Sequence, residues 1–225
     1  MDELFNRNQK ILIAGPTVSG KTADIYIDET GRIAGIGEGI RKEHRGEADL
    51  IIDGNTISSL NPAVRLDLGG YAKGRALDDA VALLQAHGIE NALVNIGGNV
   101  IALGAHGERP WRVGIQHPRQ PGTLATLDLL DGEAIGTSGD YQRYFEVDGK
   151  RYPHLLDPRT GYPADHTQAV TVLIPGGAKA GTRSDAASKP IFIAGPDAWR
   201  AMARKMEIGL VLRVDRDNRV FVSEA

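Results

Sequence analysis

Hydrophobic residues alternate with polar ones in several short stretches of the chain. Ile25 and Ile27 lie on one side of such an alternation, and Thr30-Gly31 separates it from a second stretch at residues 32–36. A period of two, followed by a glycine-containing turn, is typical of a β-hairpin. Further apolar or alternating stretches predict strands at 11–14, 50–52, 64–68, 92–96, 100–103, 111–116, 123–129, 144–147, 169–174, 210–214 and 219–222.

A helical period follows the strand predicted at 64–68. Leu77, Val81 and Leu84 have the i, i+4, i+7 spacing of a buried helix face, and Gly88 is a typical helix end. Two more helices are predicted at 182–193 and 197–206. Because strands and helices do not alternate strictly, the pattern predicts an α+β fold rather than a doubly wound sheet.

Composition narrows the class of protein. The 225 residues are 41% hydrophobic and 24% charged, as expected for a globular protein with one medium domain or one domain and a small appendage. A net charge of -3 argues against a nucleic acid as the main partner. Without cysteine there is no disulfide or zinc-thiolate site. We expect no membrane span, and the first residues lack a signal peptide, which predicts a cytoplasmic chain as written.

Four polar segments with glycine or proline are predicted to be loops that converge on one site. They cover residues 67–74, 95–99, 137–141 and 154–161. Glycines leave the backbone open to a ligand because they lack a Cβ atom. In the first segment, Asp67 and Lys73 flank Gly69-Gly70 at a helix start, where free N–H groups favour an anion. A surface ion pair beside a turn is an equally good interpretation of Asp67 and Lys73.

The other segments also have simpler interpretations. Asn95 and Asn99 bracket Gly97-Gly98, and asparagines in such positions often only cap a turn. Asp157 follows His154 by three residues and could orient its ring or bind the same ligand. Asp185 begins a helical segment, where an aspartate is usually a cap but can also present oxygens to magnesium.

Residues 15–22 match the phosphate-loop pattern G-x-x-x-x-G-K-[ST] at every position, from Gly15 to Thr22. That motif requires a helix to begin at the loop, so that the helix N-terminus meets the phosphates. Residues 23–28 alternate like a strand, which favours a glycine-rich hairpin turn. A P-loop nucleotide-binding enzyme remains an alternative.

In their order along the chain, the motifs at 67–74, 95–99, 137–141, 154–161 and 184–186 resemble the signature series of the ApbE family of FAD:protein FMN transferases. The resemblance covers about residues 50–225. It implies an ApbE-like (T-fold-like) mixed sheet with packed helices, preceded at 1–49 by a small β-rich segment. It also implies a magnesium-dependent transfer of FMN from FAD to a Thr or Ser hydroxyl of a target flavoprotein, with release of AMP.

The resemblance further implies roles for individual residues. His154, as the base, and Asp185 would be catalytic. The residues expected to bind FAD are Asp67, Gly69, Gly70, Lys73, Asn95, Gly97, Gly98, Ser138, Gly139, Asp140, His154, Asp157 and Thr160. The expected magnesium ligands are the Gly70 carbonyl, Asp185 and, more weakly, Ser188.

The sequence departs from the family pattern in two places. A metal-binding Thr is expected four residues after Asp185, but this chain has Lys189, followed by Pro190. A charged ammonium does not ligate magnesium, although it can neutralise a diphosphate directly. Residues 1–49 do not match the flavin-contacting stretch that precedes the first motif in the family. A non-catalytic FAD-binding or flavoprotein-maturation factor is therefore a second hypothesis, and the family's usual location is periplasmic or membrane-anchored.

Overall fold

The structure is a computed structural model that describes residues 11–14, 17–18, 21–22, 24–27, 33–37, 40, 43, 50–53, 56–59, 61–62 and 66–223. The chain divides into two compact units, Met1–Asp67 and Leu68–Ala225. None of the helices in the described part of the chain is long and apolar enough to cross a membrane.

The first unit contains a five-stranded sheet and a short hairpin. Its strands are β1 (Ile11–Ala14), β2 (Thr17–Val18), β3 (Lys21–Thr22), β4 (Asp24–Ile27), β5 (Ile33–Gly37), β6 (Leu50–Asp53) and β7 (Thr56–Ser59). The sheet order is β5-β4-β1-β6-β7, with β1 antiparallel to β4 and parallel to β6. Strands β1 and β6, which lie on either side of the domain boundary predicted at residue 49, pair with each other. That boundary stays a prediction.

The segment that matches the phosphate-loop pattern lies in this unit. Strands β2 and β3 pair as an antiparallel hairpin, with Thr17 opposite Thr22 and Val18 opposite Lys21. The next element is β4, a strand that pairs with β1 and β5. A helix is required at that position for phosphate binding, so the structure supports the hairpin interpretation.

The second unit is built on a six-stranded antiparallel sheet. Its strand order is β17-β16-β15-β12-β9-β8. The strands of this unit are β8 (Ala92–Ile96), β9 (Asn99–Leu103), β10 (Trp111–Gln116), β11 (Thr123–Leu129), β12 (Ala134–Gly139), β13 (Tyr144–Val147), β14 (Lys150–Pro153), β15 (Thr167–Ile174), β16 (Leu210–Asp215) and β17 (Val220–Ser223). Its helices are α1 (Ala72–Ala86) and α2 (Ala180–Lys205). The predicted α+β class is confirmed.

Both faces of this sheet are covered. On one face, α1 and α2 pack over a core that includes Leu77, Ile101 and Phe192. On the other face, a second core includes Val100 and Ala102 of β9 together with residues of the β10–β11 hairpin. Neighbouring residues of β9 thus enter opposite cores, as the side-chain period of a strand requires.

Two sequence predictions need correction. A strand was predicted at 64–68, but residues 66–68, the part of it that the structure describes, are not a strand. Thr137, Ser138 and Gly139 belong to the interior strand β12, whereas the sequence predicted a loop at 137–141. The two helices predicted at 182–193 and 197–206 are the two parts of α2, which are separated by a kink at Gly195, where φ is 78° and ψ is -172°. The helix continues through Pro190.

A side chain of α1 caps the start of α2. The residue before α2 is Lys179, whose side chain makes no capping hydrogen bond. Instead, the Asp78 carboxylate accepts hydrogen bonds from the Gly181 N–H (2.8 Å), the Thr182 N–H (2.9 Å) and the Thr182 hydroxyl. These N–H groups are among the first in the helix and have no partner within it. Asp78 therefore ties the two helices together.

Glycines set how closely the elements around α2 approach one another. A Cβ atom on Gly74 of α1 would lie 2.7 Å from the Asp185 Cβ, and one on Gly181 would lie 2.7 Å from the Gly74 carbonyl oxygen. A Cβ atom on Gly136 of β12 would overlap the Ser184 carbonyl group. Hydrogen in place of a side chain at these positions lets α1 and β12 reach the α2 backbone.

Loss of the cap should weaken the second unit. We expect Asp78→Ala to lower its free energy of unfolding by about 1–2 kcal/mol, because two N–H groups of α2 lose their acceptor. Asp79→Ala is the matched control, since the adjacent Asp79 only forms an exposed ion pair with Arg75, and a change within about 0.5 kcal/mol is expected. Urea unfolding followed by the fluorescence of Trp111 and Trp199, both in this unit, measures the difference. Equal effects of the two substitutions would contradict the capping role.

Close packing at Gly136 gives a second prediction. Gly136→Ala should destabilise the second unit by about 1–3 kcal/mol, because the new methyl group meets backbone atoms of α2. The control is Gly209→Ala, since a Cβ atom there would meet no other described residue within 4 Å beyond its chain neighbours. The same urea titration checks both variants. If Gly136→Ala were as stable as the control, β12 and α2 would have to lie further apart than in this structure.

Candidate functional site

The centre of the candidate site is the Asp185 carboxylate, which is completely buried in the first turns of α2. Its Oδ1 accepts hydrogen bonds from the Lys73 Nζ, at 3.0 Å, and from the Lys189 Nζ. Its Oδ2 accepts the backbone N–H of Gly74 at 3.0 Å. The absence of a side chain on Gly74 allows this last contact, because a Cβ would collide with α2. The motif at 67–74 and the aspartate are therefore brought together.

The charge of Asp185 follows from these contacts. Burial by itself would raise the pKa of the carboxyl group. Lys189, and then Asn99 and Lys73, more than offset burial and lower the pKa to about 2. Asn99 is fully buried beside this carboxylate, although its Nδ2 has no hydrogen bond of normal geometry. Asp185 is thus ionised at neutral pH.

Two lysines surround this one carboxylate. The Lys189 Nζ also donates to the Asp185 carbonyl oxygen at 2.7 Å, and the Lys73 Nζ donates to the Gly69 carbonyl oxygen at 3.1 Å. Burial lowers the pKa of Lys189, and Asp185 opposes that shift. The side chains of Lys73 and Lys189 are 34% and 18% exposed, whereas Asp185 is not exposed. The cluster of Lys73, Asp185 and Lys189 therefore has an excess of one positive charge, and both lysine side chains are partly exposed.

Glycines of two predicted loops lie against these lysines. A Cβ atom on Gly70 would be 3.4 Å from the Lys189 Cε, and one on Gly97 would be 3.2 Å from the Lys73 Cδ. The 95–99 segment thus joins the 67–74 segment, as predicted. The Gly98 N–H donates to the Asn95 Oδ1 at 3.0 Å, so the Asn95 side chain caps its own turn.

The predicted ligands Ser138 and Ser188 bond to each other. Both side chains are buried, and their hydroxyl oxygens lie 2.8 Å apart. The Ser188 hydroxyl also donates to the Asp185 carbonyl oxygen at 3.0 Å. Since Ser188 donates there, Ser138 must donate to Ser188. The two hydroxyl groups therefore connect β12 to α2 within the core.

Asp140 has a partner that lies outside the sequence motifs. The Arg119 guanidinium donates to both carboxylate oxygens of Asp140, with an Nη1–Oδ1 distance of 2.7 Å. Asp140 is nearly buried, so this pairing satisfies its charge inside the protein. Nothing in the local sequence pairs Arg119 with Asp140, because Arg119 lies in the β10–β11 connection and Asp140 follows β12.

His154 follows β14 and has a defined ring orientation. Its Nδ1 lies 2.9 Å from the Arg143 carbonyl oxygen. A carbonyl only accepts hydrogen bonds, so Nδ1 carries the proton and Nε2 has the free lone pair when the ring is neutral. Burial lowers the pKa of His154, the Arg143 carbonyl contact opposes this, and the positive charges of Lys189 and Lys73 lower it further. The imidazole is therefore within electrostatic range of the lysine cluster.

Asp157 does not orient the His154 ring, contrary to one of the two predicted roles. Its carboxylate accepts the Arg159 backbone N–H at 2.9 Å and pairs with the Arg159 guanidinium, which lowers its pKa. Its carbonyl oxygen accepts the N–H groups of Thr160 and Gly161. Asp157 and Thr160 thus form a tight turn, and their contact with FAD stays a prediction.

The structure brings together some of the predicted residues but not all of them. Asp67 is exposed at the end of the first unit, and its contact with FAD stays a prediction. The residues of the second unit that meet around α2 are Gly69, Gly70, Lys73, Gly97, Asn99, Ser138, Asp185, Ser188 and Lys189. Gly139 lies in β12, packed against the Tyr141 ring. The role of Asp78 as the α2 cap was not predicted from the sequence. Asp78 lies one helical turn after Gly74, so both residues are on the side of α1 that contacts α2.

The three predicted metal ligands do not form a site that suits magnesium. Magnesium favours carboxylate oxygens and water in an octahedron. Asp185 already accepts two ammonium groups and a backbone N–H, and the Ser188 hydroxyl is engaged inside the core. No group of three or more His, Asp or Glu side chains in the described part of the chain is placed to hold a metal ion.

Comparison with known proteins identifies the family of this chain. The family model described as the ApbE family matches residues 34–212. The chain is 47% identical to a Rhodobacter capsulatus protein named FAD:protein FMN transferase. The 175 aligned residues cover 78% of this chain and 33% of that protein. A Vibrio cholerae protein of the same name is 35% identical over 181 residues, which is 79% of this chain and 53% of that protein. The chain therefore spans between about a third and about half of these relatives.

A solved structure shows the same fold. The crystal structure of the ApbE protein from Thermotoga maritima superposes with a TM-score of 0.70 at 34% identity, over 84% of this chain and 62% of that chain. The family match extends over more than half of the chain and includes the lysine–aspartate cluster. The chain belongs to the ApbE family.

Proposed function

We propose that the protein is an FAD:protein FMN transferase, which transfers FMN from FAD to a Thr or Ser hydroxyl of a target flavoprotein. The observation that carries this proposal is the cluster of Lys73, Asp185 and Lys189 beside the glycines at 69–70 and 97–98. Ammonium groups next to open backbone are suited to a diphosphate, the part of FAD where the bond is broken. Family membership and the names of the relatives support the same reaction.

The proposed reaction replaces the phosphoanhydride bond of FAD with a phosphoester bond to the target. The acceptor hydroxyl oxygen forms a bond to the phosphorus on the FMN side of the diphosphate. The bond from that phosphorus to the bridging oxygen breaks, and AMP leaves with this oxygen. The hydroxyl proton passes to a base. Lys73 and Lys189 offset the negative charge of the diphosphate, which otherwise repels an approaching nucleophile.

His154 is the residue best suited to accept that proton. Its Nδ1 is held by the Arg143 carbonyl group, which leaves Nε2 as the basic atom. Its lowered pKa keeps the ring neutral at physiological pH, the state that a general base requires. The buried Asp185 carboxylate is surrounded by its own donors, so its role is to position Lys73 and Lys189.

A non-catalytic FAD-binding or flavoprotein-maturation role is the second candidate. Two observations favour this second candidate. Lys189 occupies the position of a metal-binding Thr, and the Ser138 and Ser188 hydroxyl groups bond to each other inside the core. Magnesium dependence, which the family resemblance implies, is the part of the expected function that these donors do not support. The transfer experiment separates the two candidates.

We expect covalent flavin transfer to depend on His154. The protein is incubated with FAD and a target flavoprotein domain that carries the acceptor Thr, with and without magnesium, and flavin fluorescence on the target is followed in a denaturing gel. His154→Asn should lower the rate by about 10²-fold or more, because asparagine keeps a donor for the Arg143 carbonyl group but is not a base.

The exposed His87, which contacts the Leu83 carbonyl oxygen on α1, provides the matched control. His87→Asn should leave the rate unchanged, and a target with Ala at the acceptor position should stay unlabelled. FAD binding without labelling of the target under any condition would reject the transferase in favour of the second candidate. Full activity of His154→Asn would reject His154 as the base.

The pH dependence of transfer should report the lowered pKa of His154. A base works only when unprotonated, so the rate should fall as pH decreases through that pKa. Burial and the charges of Arg143, Lys189 and Lys73 place it below the ordinary histidine value of about 6.5. The acid limb of kcat/KM against pH should therefore have its midpoint below about 6.5. A midpoint at or above that value would contradict the assignment.

A further inference from the structure

Lys189 occupies the position where the family resemblance implies a metal ligand. It lies one helical turn after Asp185, and its Nζ bonds both the carboxylate and the carbonyl group of Asp185. A Cβ atom on Gly70, whose carbonyl group is another implied ligand, would lie 3.4 Å from the Lys189 Cε. The Lys189 ammonium is thus bonded to one implied ligand, Asp185, and its side chain passes close to the residue that carries another.

The charges around Asp185 oppose a further cation. Lys73 and Lys189 contribute two positive charges within hydrogen-bond distance of one carboxylate oxygen. A divalent ion on the same carboxylate would be next to both ammonium groups and would be repelled by them. An anion, in contrast, is attracted by the excess positive charge.

Each ammonium also has a donor left for a ligand. An –NH₃⁺ group has three N–H bonds. Within the described part of the chain, the Lys73 Nζ uses two of them, on Gly69 and Asp185. The Lys189 Nζ likewise uses two, on the carbonyl and carboxylate oxygens of Asp185. The remaining N–H bond of each lysine is available to a phosphate oxygen, and both side chains reach the surface.

We propose that the ammonium groups of Lys189 and Lys73 replace a metal ion at this site and bind the diphosphate of FAD directly, so that FAD binding requires no divalent cation. The proposal depends on the proposed function only in taking FAD as the ligand. Lys189 is then the residue that decides whether the site uses a metal. Asp185 positions both lysines rather than holding a metal.

The test measures FAD binding rather than turnover. Binding to the full 225-residue chain is followed by titration calorimetry in EDTA and in millimolar magnesium. The wild-type Kd should be the same within about twofold in the two buffers. Lys189→Thr, which restores the metal-binding residue type, should weaken binding in EDTA by about 10- to 100-fold, as expected for the loss of a charge-assisted hydrogen bond. Magnesium should recover much of that loss.

Two controls isolate the interaction. Lys205→Thr changes an exposed lysine near the end of the same helix and should not alter Kd in either buffer. Riboflavin, which has no phosphate, should show no dependence on Lys189. Since Lys189→Thr also removes a partner of Asp185, near-UV circular dichroism checks its fold, and the wild-type comparison between EDTA and magnesium stands without the variant.

Several outcomes would overturn the proposal. The first is that the wild-type protein loses FAD in EDTA and regains it with magnesium. The second is that it binds no FAD in either buffer. The third is that a folded Lys189→Thr variant binds FAD in EDTA as tightly as wild type. Metal-independent FAD binding without transfer to any target would reject the transferase and leave this inference standing. Transfer of FMN to the target by a protein that binds FAD only with magnesium would support the transferase and reject this inference.

Discussion

The Asp185 carboxylate lies in the interior of the second unit, and a buried charge requires compensation by charges and hydrogen-bond donors. Lys73 of α1, Lys189 of α2 and the Gly74 N–H provide it. This requirement fixes the distance between the helices, because Gly74 reaches the carboxylate only when α1 and α2 are in direct contact. The Asp78 cap and the glycines at the interface also require α1 and α2 to be in direct contact. The packing of the core and the charge of the site therefore have one common cause.

Much of the second unit follows from periodicity in the sequence. Leu77 is fully buried, and the strands at Trp111–Gln116 and Thr123–Leu129 have the predicted bounds. Strand β12 was missed because its sequence, with Gly136, Thr137 and Ser138, has little hydrophobic content and resembles a loop. It is a strand because β9 and β15 pair with it on both sides and α2 covers it. Such tertiary pairing overrides local propensity and leaves no local trace.

The candidate site was predictable to the extent that its residues lie in short motifs. Lys73, Gly97 and Asp185 belong to three different motifs, and the structure brings these motifs together. Pairings between residues far apart in the sequence were not predictable. Arg119 binds Asp140, and the Arg143 carbonyl group, not Asp157, orients His154. Each depends on how strands are placed in the fold, which residue type and spacing do not encode.

The position of His154 has a consequence for local stability. His154 follows the two-stranded β13–β14 hairpin, whose residues are largely exposed, whereas the lysines extend from helices packed over the main core. Segments with few buried contacts open at a lower free energy than the core. Amide protons of β13 are thus expected to exchange with solvent faster than those of the first turns of α2. His154 lies where this exposed hairpin meets the main core, which the adjacent Leu155 enters.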